Sequence, residues 1–269
     1  MPIGARRTTR GARFVIAIIA LLTVTVTACG RAPMKPQRIE NASGLQKFFA
    51  TLHNTQEVEA TTRIIHYGDS HVAADWLTGR LRRNFQQDFG QGWVRYEAQG
   101  INGARATKPL GWDWDAMGGN FTNDPPTLIV VAYGTNEAGD TDLDLREYKN
   151  NFSLLLQRFK AAAPDASLLV LAPPDRARLH HGKWHTLASL PALIETQRAA
   201  ALTEGAAFWN QFAALGGAGA INDWAQQLPR LAQKDRVHLT LAGYELIADA
   251  LYAELMREYE IYHQQLQKD

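Results

Sequence analysis

"RIIHYGDSHVAADWL", residues 63–77, changes character halfway along. A β-branched and aromatic run ends at Gly68, an acidic residue and a serine follow, and the pattern beyond Ser70 is helical. A buried strand that turns at a glycine into an amphipathic helix is the first half of a βαβ unit. "TTRIIHYG" (61–68) therefore reads as a strand and "VAADWLTGRLRRNFQQDF" (72–89) as a helix. On that helix Ala73, Trp76, Leu77, Leu81 and Phe85 share one face, and Arg80, Arg82 and Arg83 lie mostly on the other. The alternation repeats outward along the chain. "WVRYEAQG" (93–100) is a second strand, and "PTLIVVAYG" (126–134) has the uninterrupted apolar run of a strand buried on both faces. A helix over 145–164 stops at Pro164, and a strand over 167–174 stops at two prolines. Then come a helix over 193–205, a strand over 206–210 and a closing helix over 241–262. Strands alternating with helices predict an α/β fold, a mostly parallel sheet covered on both faces within one domain. Ligands of such sheets lie outside the carboxyl ends of the strands, so the corners there are where chemistry is expected.

Composition sets the frame. The 269 residues are 46% hydrophobic and 20% charged, ordinary for a globular domain with a sizeable core. The N-terminus differs: Arg6, Arg7, Arg10 and Arg13 precede the apolar "FVIAIIALL" (14–22), and small residues lead to Cys29. This reads as a secretory signal, too short for a comfortable span. The small-residue site before Cys29 resembles the lipobox of bacterial lipoproteins. That implies removal of residues 1–28, lipid on the Cys29 sulfur, and a periplasm-facing outer-membrane anchor, since Gly30 rather than Asp follows. Cys29 is the only cysteine, so no intramolecular disulfide forms. The mature chain would hold 24 basic and 27 acidic residues, net −3, with no basic patch for nucleic acid. "GRAPMKPQRIENAS" (30–43) reads as part of a tether spanning 29–45, and the folded domain as 46–269.

Four corners carry candidate chemistry. Ser70 follows the first strand, where serine also serves simply as a helix N-cap. Val72 replaces the second glycine of the G-x-S-x-G elbow, so that motif is absent. Asp235 and His238 have the spacing of one helical turn, which lets a carboxylate hold one imidazole nitrogen while the other faces a serine. Asn136 follows Gly134 at the end of the third strand and can donate an amide N–H to a developing oxyanion. Gly103, in "NGA", can bring a backbone N–H to the same point. Each is also an ordinary turn residue when taken alone.

Taken in order, "YGDSH" (67–71), "INGA" (101–104), "YGTNE" (133–137) and "DRVHLTLAGY" (235–244) resemble the SGNH (GDSL-type) hydrolase family over nearly the whole mature domain. The resemblance implies a flavodoxin-like three-layer α/β/α sandwich that hydrolyses esters without metal or organic cofactor. It implies Ser70 as nucleophile, His238 as general base and Asp235 as its orienter. The backbone N–H groups of Ser70 and Gly103 and the Asn136 side chain would form the oxyanion hole. Two positions depart from the family pattern: His71 stands for the usual Leu, and Glu137 for the Asp after the third-block Asn. The Gly-Asp-Ser-His form, and "FWNQFAALGGAGAINDW" (208–224), are similar to the peptidoglycan O-acetylesterase subgroup. O-acetylated peptidoglycan is accordingly the expected substrate. An envelope O-acetyltransferase, a lipase or lysophospholipase, and a silent glycan-binding lipoprotein are the alternatives.

Three further features read more plainly. "HHGKWH" (180–185) lacks the cysteines or paired carboxylates of a metal site and reads as a mobile polar loop. Trp112 and Trp114 lie in a glycine-flanked loop, as sugar-stacking rings or as core. Asp69 is expected to hold the turn at Ser70, with no part in proton transfer.

Overall fold

The computed structural model describes residues 34–58 and 61–268, so Cys29 and the signal segment lie outside the described residues. Helix α1 (Gln46–Val58) leads to strand β1 (Thr62–Gly68), the single turn α2 (Ser70–Ala73), helix α3 (Trp76–Phe89) and strand β2 (Val94–Gly100). Next come α4 (Trp114–Asn123), β3 (Leu128–Ala132), α5 (Leu145–Ala162) and β4 (Ser167–Leu171). A hairpin of β5 (Ala177–His180) and β6 (Lys183–Thr186) precedes α6 (Leu190–Thr203) and β7 (Ala207–Trp209). Two short helices, α7 (Gln211–Leu215) and α8 (Ala220–Gln226), and the long α9 (Leu241–Leu266) close the chain.

Five strands form one sheet in the order β2-β1-β3-β4-β7, every neighbour parallel. This is the flavodoxin-like order, with its switch point between β1 and β3. The period of two sorts the strands cleanly. Ile64, Leu128, Val130, Leu169 and Leu171 face one core with α1, α3 and α9. Ile65, Ile129, Val131, Leu168 and Val170 face the other with α4, α5 and α6. Both faces are apolar, so the sheet is the middle of three layers, as the apolar runs in the sequence require.

The structure departs from the sequence expectations in four places. The helix read over 72–89 is broken: Asp75 takes a left-handed conformation (φ 53°), and its carboxylate accepts from Thr78 Oγ1 (2.5 Å) and Arg82. Asp tolerates that conformation through such local bonds. Trp76 thereby opens a new helix and stays largely exposed, whereas Leu77, Leu81 and Phe85 are buried. The loop carrying Trp114 is helix α4, capped by Asp113 accepting from the Ala116 N–H. "HHGKWH" lies in the β5–β6 hairpin, whose two turn residues, His181 and Gly182, both have positive φ (47° and 75°). Finally, residues read as tether pack on the domain. Glu40 bridges Phe208 on the open edge of β7, Ile39 is buried, and its N–H donates to Glu254 Oε1 (3.1 Å). An edge strand leaves backbone groups unpaired, and this segment covers some of them.

Candidate active site

β1 ends at Gly68, and Asp69 turns the chain into α2. Asp69 is buried and caps α2 by accepting from the His71 N–H (2.9 Å), which fixes the direction in which Ser70 leaves the sheet. The turn sits flat on β2: a Cβ added at Gly100 would lie 2.0 Å from the Ala73 nitrogen, and one at Gly68 2.4 Å from Val72 Cγ2. Glycine at 100 lets the backbone of α2 come this close, and glycine at 68 leaves room for the Val72 side chain and the Ala132 carbonyl.

The segment after β2 is tied to the same corner. Ile101 donates its N–H to the Gly68 carbonyl (3.0 Å), and the chain turns back through Gly103, whose φ of 72° suits glycine. Asn136, after β3, donates from Nδ2 to the Ala104 carbonyl (2.8 Å). One of its two amide N–H groups is thus committed to holding this loop, and the other is left for a second acceptor. Glu137 completes the clamp. It is buried, its Oε1 accepts from the Ala106 N–H (2.6 Å), and burial pushes its carboxyl above the usual range although backbone N–H groups oppose the shift. Glu137, one of the two departures from the family pattern, is thus a strut between two loops of the site.

On the far side, Asp235 and His238 precede α9. Asp235 Oδ1 accepts from the N–H groups of Val237 (2.9 Å) and His238 (3.0 Å), and Oδ2 lies 2.7 Å from His238 Nδ1. Partial burial pushes this carboxyl up, but those hydrogen bonds outweigh it and hold Asp235 below the usual carboxylate range. His238 Nε2 lies 2.9 Å from Ser70 Oγ. The three side chains, 165 or more residues apart between serine and acid–base pair, therefore form one hydrogen-bonded row outside the carboxyl end of β1. Asp235 and His238 remain 44% and 33% exposed at their side chains, so the row lies on an open surface. The cavities of about 520 and 410 Å³ lie elsewhere and are lined by none of the three.

Two residues to which the sequence assigns no role support the row. His71 is buried, its ring 5.2 Å from that of His238, and its Nδ1 bonds the Tyr244 hydroxyl (2.7 Å). Burial pushes the His71 imidazole down, so a neutral ring packs against His238. Arg176 donates to the Thr135 carbonyl (2.5 Å), and the next residue, Ala177, donates its N–H to the Arg236 carbonyl (3.0 Å). The hairpin so links the Asn136 loop to the Asp235–His238 loop. The "PPDR" stretch, a strand stop followed by opposite charges, was the only signal for it. Trp112 and Trp114 are half-buried against the core of α5, with the Trp114 ring 5.1 Å from Phe159 and its Nε1 donating to the Pro109 carbonyl. Among the described residues no group of three or more histidine, cysteine, aspartate or glutamate side chains is placed to hold a metal ion.

A seryl oxygen beside an imidazole that is itself held by a carboxylate can be deprotonated as it attacks a carbonyl carbon. Comparison with known proteins agrees with that chemistry. The sequence profile described as the GDSL-like lipase/acylhydrolase family matches residues 55–246. A solved peptidoglycan O-acetylesterase superposes with a TM-score of 0.74 at 18% identity, covering 82% of this chain and 99% of its own. An acetyl xylan esterase from Geobacillus stearothermophilus gives 0.56 at 15% identity, covering 74% and 97%. Another acetyl xylan esterase, AlAXEase, gives 0.55 at 15%, covering 71% and 98%. At these identities the likeness is one of fold. No curated protein sequence matches the chain.

Proposed function

This chain belongs to the GDSL-like lipase/acylhydrolase family and is a carboxylic ester hydrolase, and from that premise we propose that it removes O-acetyl groups from a cell-envelope glycan, O-acetylated peptidoglycan first. The observation that carries the reading is the hydrogen-bonded row of Ser70, His238 and Asp235 at the sheet's switch point. In this mechanism Ser70 Oγ attacks the acetyl carbonyl while His238 Nε2 takes its proton, and Asp235 holds the imidazole and its positive charge. The oxyanion is met by the N–H groups of Ser70 and Gly103 and by the uncommitted amide N–H of Asn136. Collapse returns the proton from His238 to the departing sugar hydroxyl, leaving an acetyl-serine. Water, deprotonated by the same histidine, then attacks the acetyl-serine, and acetate leaves as His238 returns the proton to Ser70 Oγ.

The choice of substrate rests on three supports. The site is open, with Asp235 and His238 partly exposed, which suits a short acyl group on a polymer better than a long acyl chain needing an enclosed groove. The fold neighbour with the highest superposition quoted above acts on peptidoglycan. The N-terminal segment reads as a lipoprotein signal ending at Cys29, which would hold the domain in the envelope, in reach of that polymer.

The test is acetate release from O-acetylated peptidoglycan by the soluble chain from residue 30 onward. Ser70→Ala should abolish it, and Asp235→Asn should lower it by roughly 10³- to 10⁴-fold with the melting temperature unchanged. Turnover of an aryl acetate without release from the polymer would move the substrate elsewhere. Equal rates in wild type and Ser70→Ala would remove the nucleophile assignment.

A further inference from the structure

Three aromatic contacts lead away from the catalytic histidine. The His71 ring lies 5.2 Å from His238, the Tyr244 ring 5.8 Å from His71, and the Trp76 ring 5.8 Å from Tyr244 at 67°, edge to face. The inner members of this row are buried, and Trp76, at its end, is 40% exposed. Its place follows from the chain. Trp76 comes six residues after Ser70 and is the first residue of α3, and Tyr244 lies in the first turn of α9. Both helices begin at the edge of the sheet where the strands end, so Trp76 stands on the same rim as the nucleophile. Ala73 and Ala74, between Ser70 and Trp76, are also exposed, as is Leu241 (49%), one turn before Tyr244.

We propose that Trp76 is a carbohydrate subsite: a platform on which a pyranose ring of the glycan, next to the sugar bearing the ester, lies flat during deacetylation. This rests on the esterase reading above and adds the group that grips the polymer. An indole face offers apolar area to the C–H face of a sugar while the sugar's hydroxyl edges stay in water, and a ring 40% exposed allows that arrangement. The edge contact with Tyr244 already holds the ring in place, so little side-chain freedom is lost when the sugar arrives. Trp112 and Trp114 are less exposed than Trp76: Trp114 packs on Phe159 of α5, and Trp112 lies against Tyr67 (5.5 Å) and Trp114 (6.1 Å). The rim is equally unsuited to an extended acyl chain, which would leave most of its length in water.

The experiment compares wild type, Trp76→Ala and Trp76→Phe on O-acetylated peptidoglycan, on acetylated xylan and on a small aryl acetate. In Trp76→Ala the KM for the preferred polymer should rise about tenfold, with kcat little altered and no comparable rise in KM for the aryl acetate; Trp76→Phe should fall between. Binding of the polymer to Ser70→Ala should quench tryptophan fluorescence, and adding Trp76→Phe should remove most of that quench. A polymer KM unmoved by Trp76→Ala, or one that rises in step with the aryl acetate KM, overturns the subsite. Wild-type action on xylan with none on peptidoglycan, and the Trp76 effect intact, would overturn the peptidoglycan reading and leave the subsite standing. Action on neither polymer would remove both.

Discussion

The two halves of the hydrogen-bonded row of Ser70, His238 and Asp235 are held by different physics. On the serine side, position is set by contact: β1 and β2 end in glycines, the backbone of α2 rests directly on Gly100, and the Val72 side chain packs on Gly68. Buried Asp69, His71 and Glu137 fill the space around this corner. On the histidine side, position is set by hydrogen bonds in a partly exposed loop. Gln233 donates its N–H to the His238 carbonyl (2.8 Å), Ala177 donates to the Arg236 carbonyl, and the Arg236 guanidinium lies 4.9 Å from the Trp184 ring centre. Close packing gives no room for a methyl group, whereas a set of individually modest polar contacts yields by degrees. The Ser70 side is therefore expected to fail all at once, and the His238 side to drift.

The largest effect should come from Gly100→Ala. The added carbon would sit 2.0 Å from the Ala73 nitrogen and 2.5 Å from the Val72 carbonyl carbon, both backbone atoms that no rotamer change relieves. Destabilisation of about 3 kcal/mol or more is expected, read as a fall in the urea midpoint, together with loss of esterase activity beyond what the unfolded fraction explains. A stable, active Gly100→Ala protein would mean that α2 can lift off β2, and the contrast between the two sides would disappear.

Much of this arrangement was legible in the residues, and unevenly so. The sheet was readable because β3 and β4 are apolar without interruption, and the corners were readable because glycine, asparagine and serine punctuate the strand ends. The parallel order and both cores followed. What escaped was settled by contacts between distant segments. The break at Asp75 depends on a left-handed conformation that an amphipathic pattern conceals, and it moved Trp76 from the expected core face to the surface. The segment over 34–45 looked like a tether because its composition is polar, yet it finds an unpaired sheet edge at β7. At the site, the Asp235–His238 pairing was expected from spacing and their meeting with Ser70 from the family resemblance, but the brace from β5–β6 was not. Its residues read as loop, and its partners, Arg236 and Gly139, lie dozens of positions away.

A second way to sharpen the comparison uses pH, since buried imidazoles lie beneath the serine side. His66, on β1, is fully buried with Nδ1 bonded to the Tyr96 hydroxyl (3.0 Å), and burial lowers its pKa from 6.5 to about 3. Between those values the unfolded chain binds a proton that the folded chain refuses. Stability contributed by the neutral ring is therefore complete above pH 6.5 and is lost as pH falls through that value towards 3. The expected loss from this group is about 2 kcal/mol between pH 7 and pH 5. Urea midpoints across that range should fall more gently in His66→Asn, whatever its starting stability, with His71 supplying part of the remaining slope. Identical slopes would show that His66 takes up its proton without unfolding, and that the corner is less tightly closed than its burial indicates.

The smallest effect is expected on the histidine side, from Trp184→Leu. Leucine keeps apolar bulk under the loop and removes only the ring face beneath Arg236, a contact worth about 1 kcal/mol. Arg236 itself is held at φ 56°, a conformation that costs a side chain something to keep, so weakening its anchor should let the loop relax and carry Asp235 and His238 with it. A roughly three- to fivefold fall in kcat on an aryl acetate is the expected result, with little change in KM and a shift of no more than a few degrees in melting temperature. A drop in rate matched by collapse of the melting temperature would make the hairpin part of the core, like the serine side. An unchanged rate would mean that the backbone bonds at Arg236 and His238 suffice to hold the base, and that the hairpin serves the surface beyond it.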